Sequence, residues 1–360
     1  MSAPLTRPAG AAPYELQQVW TPASEGLLDW DDAFHALLLG DRIRMRAFRA
    51  AIDDVVQPGM TVLDLGTGTG ILAEWALDNG AARVYGIELN EDLLAGAVQR
   101  LGAAGHGDAF RPVPGTSLAV TLPEAVDVIV SETLGNLADN EGAVEILDDA
   151  RRRFLAPGGV MIPSRAESYL VPVAAERAHE LVSSCTVADV GDGDWLALLR
   201  ERGGRDQFDV YYDAVVPRST HLATARVLRR YDFTRANDGT YCETLTWTVQ
   251  DAGLLTGFKG YFIATLSPSV ALDISGDDPG LDGWEQRTSS DSWKHCYIPI
   301  AHPVAVRRDD SIRLALSRAA RPDRPFAQTY GWEGAVLRDT ACLATFANRP
   351  PGAVAPARDG

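Results

Sequence analysis

Between Gly59 and Leu155 the chain alternates short apolar, β-rich runs with segments of helical period, and that alternation restricts it to few folds. The runs MTVLDL, RVYGIEL and VDVIVSE are separated by expected helices from Ile71 to Asp78 and from Glu91 to Leu101. Strands joined through helices at this spacing build βαβ units, and unbroken apolar runs belong to a parallel sheet covered on both faces. Another helix is expected from Ala143 to Leu155, stopped by Pro157-Gly158-Gly159, where the first domain closes. Upstream, Phe34, Leu37, Leu38, Ile43 and Phe48 recur at roughly helical spacing around Gly40-Asp41 and predict two short helices. Beyond Pro163 the segments SYLVPV, FDVYYDAVV, YCETLTWTV, GFKGYFIATL, CYIPI and SIRLALS, parted by turn residues, predict an antiparallel β domain, expected to be a barrel. The segment DWLALLRERGG, from about Trp195 to Gly204, is the one helical insertion read in it, and a candidate partner contact.

The turn LDLGTGTGIL joins the first of these strands to its helix. Glycines there let backbone N–H groups approach a ligand at the carboxyl edge of the sheet, and Gly66, Gly68 and Gly70 supply them after Asp64. A dinucleotide fingerprint would place its third glycine at Ile71, so the GxGxG spacing favours S-adenosyl-L-methionine over a nicotinamide cofactor. Glu88 ends the second strand 24 residues after Asp64, close to the roughly 20 expected of an acid that binds ribose hydroxyls. Two plainer roles stand beside these: the glycines can simply turn the chain, and Glu88 can cap the next helix.

Downstream, the stretch VSETLGNLADNEGAV carries Glu132 and Glu141, nine positions apart. A guanidinium stays protonated at neutral pH, leaves no lone pair free and prefers bidentate carboxylate partners. One carboxylate can hold its charge while the other orients the reacting nitrogen and receives the proton, and a bound cation relieves the repulsion between the acids. Spacing alone carries little, because 49 of the 360 residues are acidic. Position carries more: Glu132 ends the strand VDVIV at the ligand-bearing edge, whereas Glu141 opens the next helix and could be there for electrostatic reasons.

A net charge of -16 repels nucleic-acid and acidic membrane surfaces and attracts a cationic substrate, or else serves solubility. No apolar run reaches the roughly 18 residues of a membrane helix, and the first residues show no basic-then-apolar leader, so a cytoplasmic location is expected. Cys185, Cys242, Cys296 and Cys342 form no CxxC, which predicts buried, reduced thiols and neither a zinc site nor a disulfide framework. The ends, 1–24 and 348–360, are rich in Pro, Ala and Gly and read as mobile.

From about Phe34 to Leu337 these features together resemble the protein arginine methyltransferase family: the glycine turn, Glu88, the double-Glu loop, the barrel-entry strand APGGVMIPSRA and the segment HALLLGDRIRM. The resemblance implies an α/β plus β fold. A Rossmann-like S-adenosylmethionine-binding domain with N-terminal helices would span 25–163, and an antiparallel β-barrel 164–347 with a helical dimerisation arm near 183–207. It implies that Arg44 holds the cofactor carboxylate, that His35 lies against the cofactor, that Asp41 supports the active site, and that Trp293 lines the arginine channel. Thr116 and Ser117 stand where an adenine-binding acid is common in the family, which shifts adenine recognition toward backbone groups. The loop GNLADNE and the segment DSWKHCYIPIAHPVAVRRDD are more similar to the symmetric-dimethylating branch, with Ser292 where most members have histidine. His295 is expected to be an ordinary strand residue.

The implied activity is in-line N-methylation of an arginine guanidino group, with no metal required and Glu132 and Glu141 as the catalytic acids. Leu38 and Leu134 are candidate determinants of product, or core residues. A homodimer is expected. The substrate would be free L-arginine, an arginine-derived metabolite, or a peptide or protein arginine, with the chain's length favouring a small molecule or peptide. The other readings are a non-catalytic cofactor-binding module, a methyltransferase for another amine or a carboxylate, and a nicotinamide oxidoreductase.

Overall fold

The computed structural model describes residues 15–20, 37–187, 199–200, 204–276, 290–321 and 327–348. Its first half is built on a five-stranded parallel sheet of β2 (Thr61–Leu65), β3 (Arg83–Glu88), β4 (Phe110–Pro114), β5 (Val126–Ser131) and β6 (Leu155–Ile162), in the order β4-β3-β2-β5-β6. The central strands are buried on both faces, so their sequences are apolar without alternation. Helices α1 (Arg42–Val55), α2 (Ile71–Asp78), α3 (Glu91–Ala103) and α4 (Ala143–Phe154) turn their buried residues toward the sheet's core. The sequence reverses direction of build at β2, with β3 on one side and β5 on the other, and a ligand crevice forms outside the carboxyl ends of strands at such a switch point.

The expected break at Gly40-Asp41 has a physical cause. Residues 37–40 are helical, and Asp41 then caps α1, its Oδ1 accepting from Ile43 N at 3.0 Å and Arg44 N at 3.2 Å. Phe34 and His35 lie outside the described residues. Pro157-Gly158-Gly159 corrects the reading of a helix stop: α4 ends at Phe154 and the chain enters β6 at once, running through all three residues. Proline is tolerated there because β6 is the sheet's edge strand and one N–H needs no ladder partner.

The second half holds two antiparallel sheets. In the larger, β1 (Val19–Trp20), β8 (Tyr212–Ala214), β13 (His295–Val306), β11 (Gly253–Ser267), β7 (Arg165–Val173) and β9 (Arg226–Asp232) run side by side, with β12 (Val270–Asp273) on β11. The smaller has the order β10 (Tyr241–Thr248), β14 (Ser311–Ala320), β15 (Gln328–Arg338), β16 (Ala341–Asn348). The sheets lie against one another where β9 meets β10 and β13 meets β16, giving a barrel-like domain whose hydrogen bonding does not close among the described residues. Trp247, Phe258, Ile298, Leu314 and Trp332 fill the space between them. Tyr261, Phe262, Ala264 and Leu266 of β11 join the core of the parallel sheet instead, so the two halves share one apolar body.

Three expectations change. The N-terminal stretch read as mobile contains β1, which pairs antiparallel with β8. FDVYYDAVV yields only the three-residue β8, while a helix absent from the sequence reading, α5 (Glu176–Ser183), follows β7. Of the cysteines, all free, Cys296 is buried and Cys242 half-buried, but Cys185 and Cys342 are exposed. The helical insertion at Trp195 lies mostly outside the described residues.

Candidate active site

A cavity of about 420 Å³ opens at the carboxyl ends of β2, β3 and β5, walled by the glycine turn, Glu88, Thr116, Ser117, Arg44 and Glu132. Gly66, Gly68 and Gly70 take φ of 77°, 49° and 79°, a region that L side chains seldom enter, and they fold the turn under the cavity. Gly68 N donates to Glu88 Oε2 at 2.9 Å, and Asn90 N to Glu88 Oε1 at 2.9 Å. Each oxygen keeps acceptor capacity, which suits a vicinal diol. The helix-capping alternative for Glu88 falls away, because Asn90 caps α3, accepting from Asp92 N and Leu93 N.

Asp64 sits apart from the cavity wall. Its buried carboxylate holds the turn together from β2, Oδ2 accepting from Thr67 Oγ1 at 2.6 Å and Ala73 N at 3.0 Å, while Oδ1 has no partner. Burial pushes its pKa up to about 7 against those hydrogen bonds.

The loop from Glu132 to Gly142 brings the two acids to one place. Glu132 follows β5 and lines the cavity; its Oε2 accepts from Arg44 Nη2 at 2.6 Å and Nε at 2.9 Å. A guanidinium therefore already lies on this carboxylate, and it is the chain's own. Glu141 is 5% exposed and carries no hydrogen bond or ion pair among the described residues. Burial, then the charges of Glu132 and Asp213, raise its pKa well above the carboxylate range, with Arg44 opposing. Nor is it a helix-start acid: Gly142, at φ 73°, is the N-cap of α4 without a side-chain bond, and the acid of the first turn is Glu145.

Around these acids the structure gathers most of the expected residues. Leu38 lines the cavity, whereas the Leu134 side chain is fully buried in the core and offers its carbonyl to Trp293 Nε1 at 2.6 Å. Trp293 packs edge-on against Phe262 with ring centroids 5.2 Å apart, and the Arg44 guanidinium lies 6.0 Å from its centroid. Asp41 reaches across to the same segment, its Oδ2 accepting from Ser292 N at 2.9 Å, Ser292 Oγ at 2.7 Å and Ser290 Oγ. Ser292 thus fills a histidine's place with a direct bond to the cap of α1. His295 is a buried β13 residue whose Nδ1 accepts from Val216 N. Sequence reasoning missed Asp213, whose charge acts on Glu141 and which accepts from Asn136 Nδ2 at 2.7 Å, and it missed Asp139. Both come from tertiary pairing, for which no local signal exists.

The parallel sheet, the glycine turn and the diol-ready acid fit S-adenosylmethionine, and they define an S-adenosylmethionine-dependent methyltransferase. Residues 62–159 match the family of the methyltransferase domain, and residues 165–332 that of the PRMT5 oligomerisation domain. Protein arginine N-methyltransferase PRMT10 of Arabidopsis thaliana is 38% identical over 310 residues, covering 78% of this chain and 78% of that protein. With its namesake in Oryza sativa subsp. japonica the identity is 36% over 154 residues, and the match spans only 40% of that relative. The arginine N(omega)-methyltransferase of Streptomyces achromogenes subsp. streptozoticus is 28% identical over 79% of this chain and 75% of its own length. The crystal structure of Arabidopsis thaliana protein arginine methyltransferase 10 shares the fold, with a TM-score of 0.72 over 87% of this chain and 96% of that one, at 22% identity. The chain belongs to the protein arginine N-methyltransferase family.

Proposed function

We propose that this protein methylates a guanidino nitrogen of free L-arginine, an arginine-derived metabolite or an arginine-bearing peptide or protein, with Glu132 and Glu141 as the clamp. One observation carries the reading: Glu141 is a buried acid with no hydrogen-bond or ion-pair partner among the described residues, set beside a carboxylate that already holds a guanidinium. A buried carboxylate without a partner is costly, and a cation in the gap removes that cost. The printed name of the Streptomyces relative, arginine N(omega)-methyltransferase, supports a small guanidino substrate.

S-adenosylmethionine supplies an electrophilic methyl: the S–CH3 bond breaks with its electrons left on sulfur, an N–CH3 bond forms, and the nitrogen gives up a proton. The chain's residues prepare that exchange. Glu132 and Glu141 neutralise the guanidinium and hold one nitrogen forward, and a clamp carboxylate takes the proton. Arg44, on the cavity wall, is the group for the cofactor's carboxylate, and moving there frees Glu132 for the substrate. Asp41, through Ser290, whose Oγ accepts from Trp293 N, seats Trp293 beside the clamp.

The match of residues 165–332 to an oligomerisation domain supports a homodimer and the symmetric-dimethylating branch. A monomeric mass by light scattering at micromolar concentration sinks the dimer. The function is tested by mass spectrometry of reactions containing S-adenosylmethionine and either free L-arginine or an arginine-containing peptide library. A gain of one or two methyl masses is expected; no gain in either tube, with S-adenosylhomocysteine bound in calorimetry, overturns it.

A further inference from the structure

A buried carboxylate two residues from the clamp neither lines the cavity nor hydrogen-bonds to either acid, yet it is held by three phenols. Asp139, two residues before Glu141, is fully buried. Its Oδ2 accepts from the hydroxyls of Tyr231 at 2.5 Å and Tyr241 at 3.0 Å, and its Oδ1 from that of Tyr330 at 2.7 Å. Arg318 Nε lies 3.6 Å from Oδ2, and Arg318 Nη2 donates to the Asp139 carbonyl at 2.9 Å. The same guanidinium is held by Glu145 of α4, at 2.9 and 3.1 Å. Four strands, β9, β10, β14 and β15, drawn from both antiparallel sheets, thus converge on one carboxylate in a loop of the parallel-sheet half.

We infer that Asp139 is a positioning residue for the guanidino chemistry: it locks the double-Glu loop to the barrel-like domain so that Glu141 faces Glu132. The inference rests on the clamp reading proposed above. The loop has no ladder of its own, and without anchors a segment of this length samples many conformations. The barrel-like half supplies the anchors one by one. Trp293 Nε1 donates to the Leu134 carbonyl, Ser168 Oγ to that of Leu137 at 2.6 Å, and Arg318 to that of Asp139. Just before Asp139, Ala138 sits at φ 66°, a conformation an alanine keeps only where its surroundings impose it. Three phenols and an arginine can impose it, because the donors come from different directions and fix both the position and the rotation of the carboxylate. Burial, and then the charge of Asp139, raise the pKa of Tyr231, so its hydroxyl remains a donor. Burial and the same charge act alike on Tyr241 and Tyr330.

A merely structural ion pair would, on removal, lower stability, cofactor binding and turnover together. A positioning residue separates them. The test compares the full-length protein with Asp139→Asn, which keeps volume but loses charge, and with the Tyr231→Phe/Tyr330→Phe double variant, which leaves the carboxylate with Tyr241 and Arg318. The readouts are kcat and KM for the guanidino substrate, S-adenosylhomocysteine affinity by calorimetry, and amide exchange of the peptide spanning 133–141.

The expected result for Asp139→Asn is a fall of about 100-fold in kcat, the scale of a misplacement near 1 Å, with cofactor affinity unchanged within about twofold. The 133–141 amides exchange faster while β2 and β3 peptides do not. The double variant, the fallback if Asp139→Asn does not fold, falls between it and the unmodified protein in kcat. Unchanged kcat, or parallel loss of cofactor binding and turnover, overturns the proposal. If the unmodified protein methylates no guanidine, the clamp reading fails alone, and the exchange rates still decide whether Asp139 holds the loop.

Discussion

Replacing Asp64 by Asn should stabilise this protein, and by an amount that grows with pH. Burial holds the Asp64 carboxyl at a pKa of about 7, and the ordinary value is 3.8. Because the folded value is the higher, the folded chain binds more protons than the unfolded chain between those limits, so stability falls as pH rises through the window. Above pH 7 the folded carboxylate is ionised with one oxygen lacking a partner, and the full penalty is in place. A shift from 3.8 to about 7 corresponds to roughly 4 kcal/mol at 1.36 kcal/mol per unit, of which about 3 kcal/mol accrues between pH 5 and pH 8.5. Asparagine cannot ionise, and its amide oxygen can still accept from Thr67 Oγ1 and Ala73 N. At about 2.1 cal/mol/K per residue, 360 residues give an unfolding entropy near 0.8 kcal/mol/K, so the gap in Tm between Asp64→Asn and the unmodified protein should widen by about 4 °C across that pH range. Differential scanning calorimetry at pH 5, 6.5 and 8.5 checks it. A gap that stays constant with pH would mean that Asp64 is ionised throughout, and the account of a neutral acid bracing the glycine turn would fail.

Glu132→Gln should abolish methyl transfer and leave S-adenosylhomocysteine binding at least as tight, since it releases Arg44 from a 2.6 Å ion pair; a weaker complex in calorimetry contradicts this. The raised pKa of Glu141 places the acid limb of kcat/KM above the carboxylate range, activity rising with pH as the clamp ionises. Bound guanidinium favours the carboxylate, so the limb of kcat falls at lower pH, and coincident limbs would refute the clamp. Gly86→Ala introduces a Cβ 2.5 Å from the Phe110 ring, which forces β3 and β4 apart. A loss of about 1–3 kcal/mol is expected in urea unfolding, and an unchanged midpoint argues against the packing described.

What the sequence made legible follows from the range over which each feature is encoded. The parallel sheet was readable because both its strands and its caps are local: apolar runs mark β2, β3 and β5, and Gly70 or Asn90 begins each helix within a residue or two of where the pattern changes. Glu88 and Glu132 were readable because a strand end in this topology has a fixed address. The antiparallel half is encoded otherwise. β9, RVLRRYD, is charged along its exposed face and is missing from the expected strands, and β8 is three residues that become a strand only by pairing with β1 and β13. Asp139 shows the limit most sharply. In sequence it is one acid in a loop rich in acids, and its partners lie 92, 102 and 191 positions away. Those tyrosines are indistinguishable from core aromatics until the strands carrying them are assembled. A residue that meets a ligand must stand where the fold presents it, and a local pattern can reveal that address. A residue that holds another in place can be recruited from any strand that comes near, so the place of the cavity-lining residues was legible while the means by which the barrel-like half holds their loop was not.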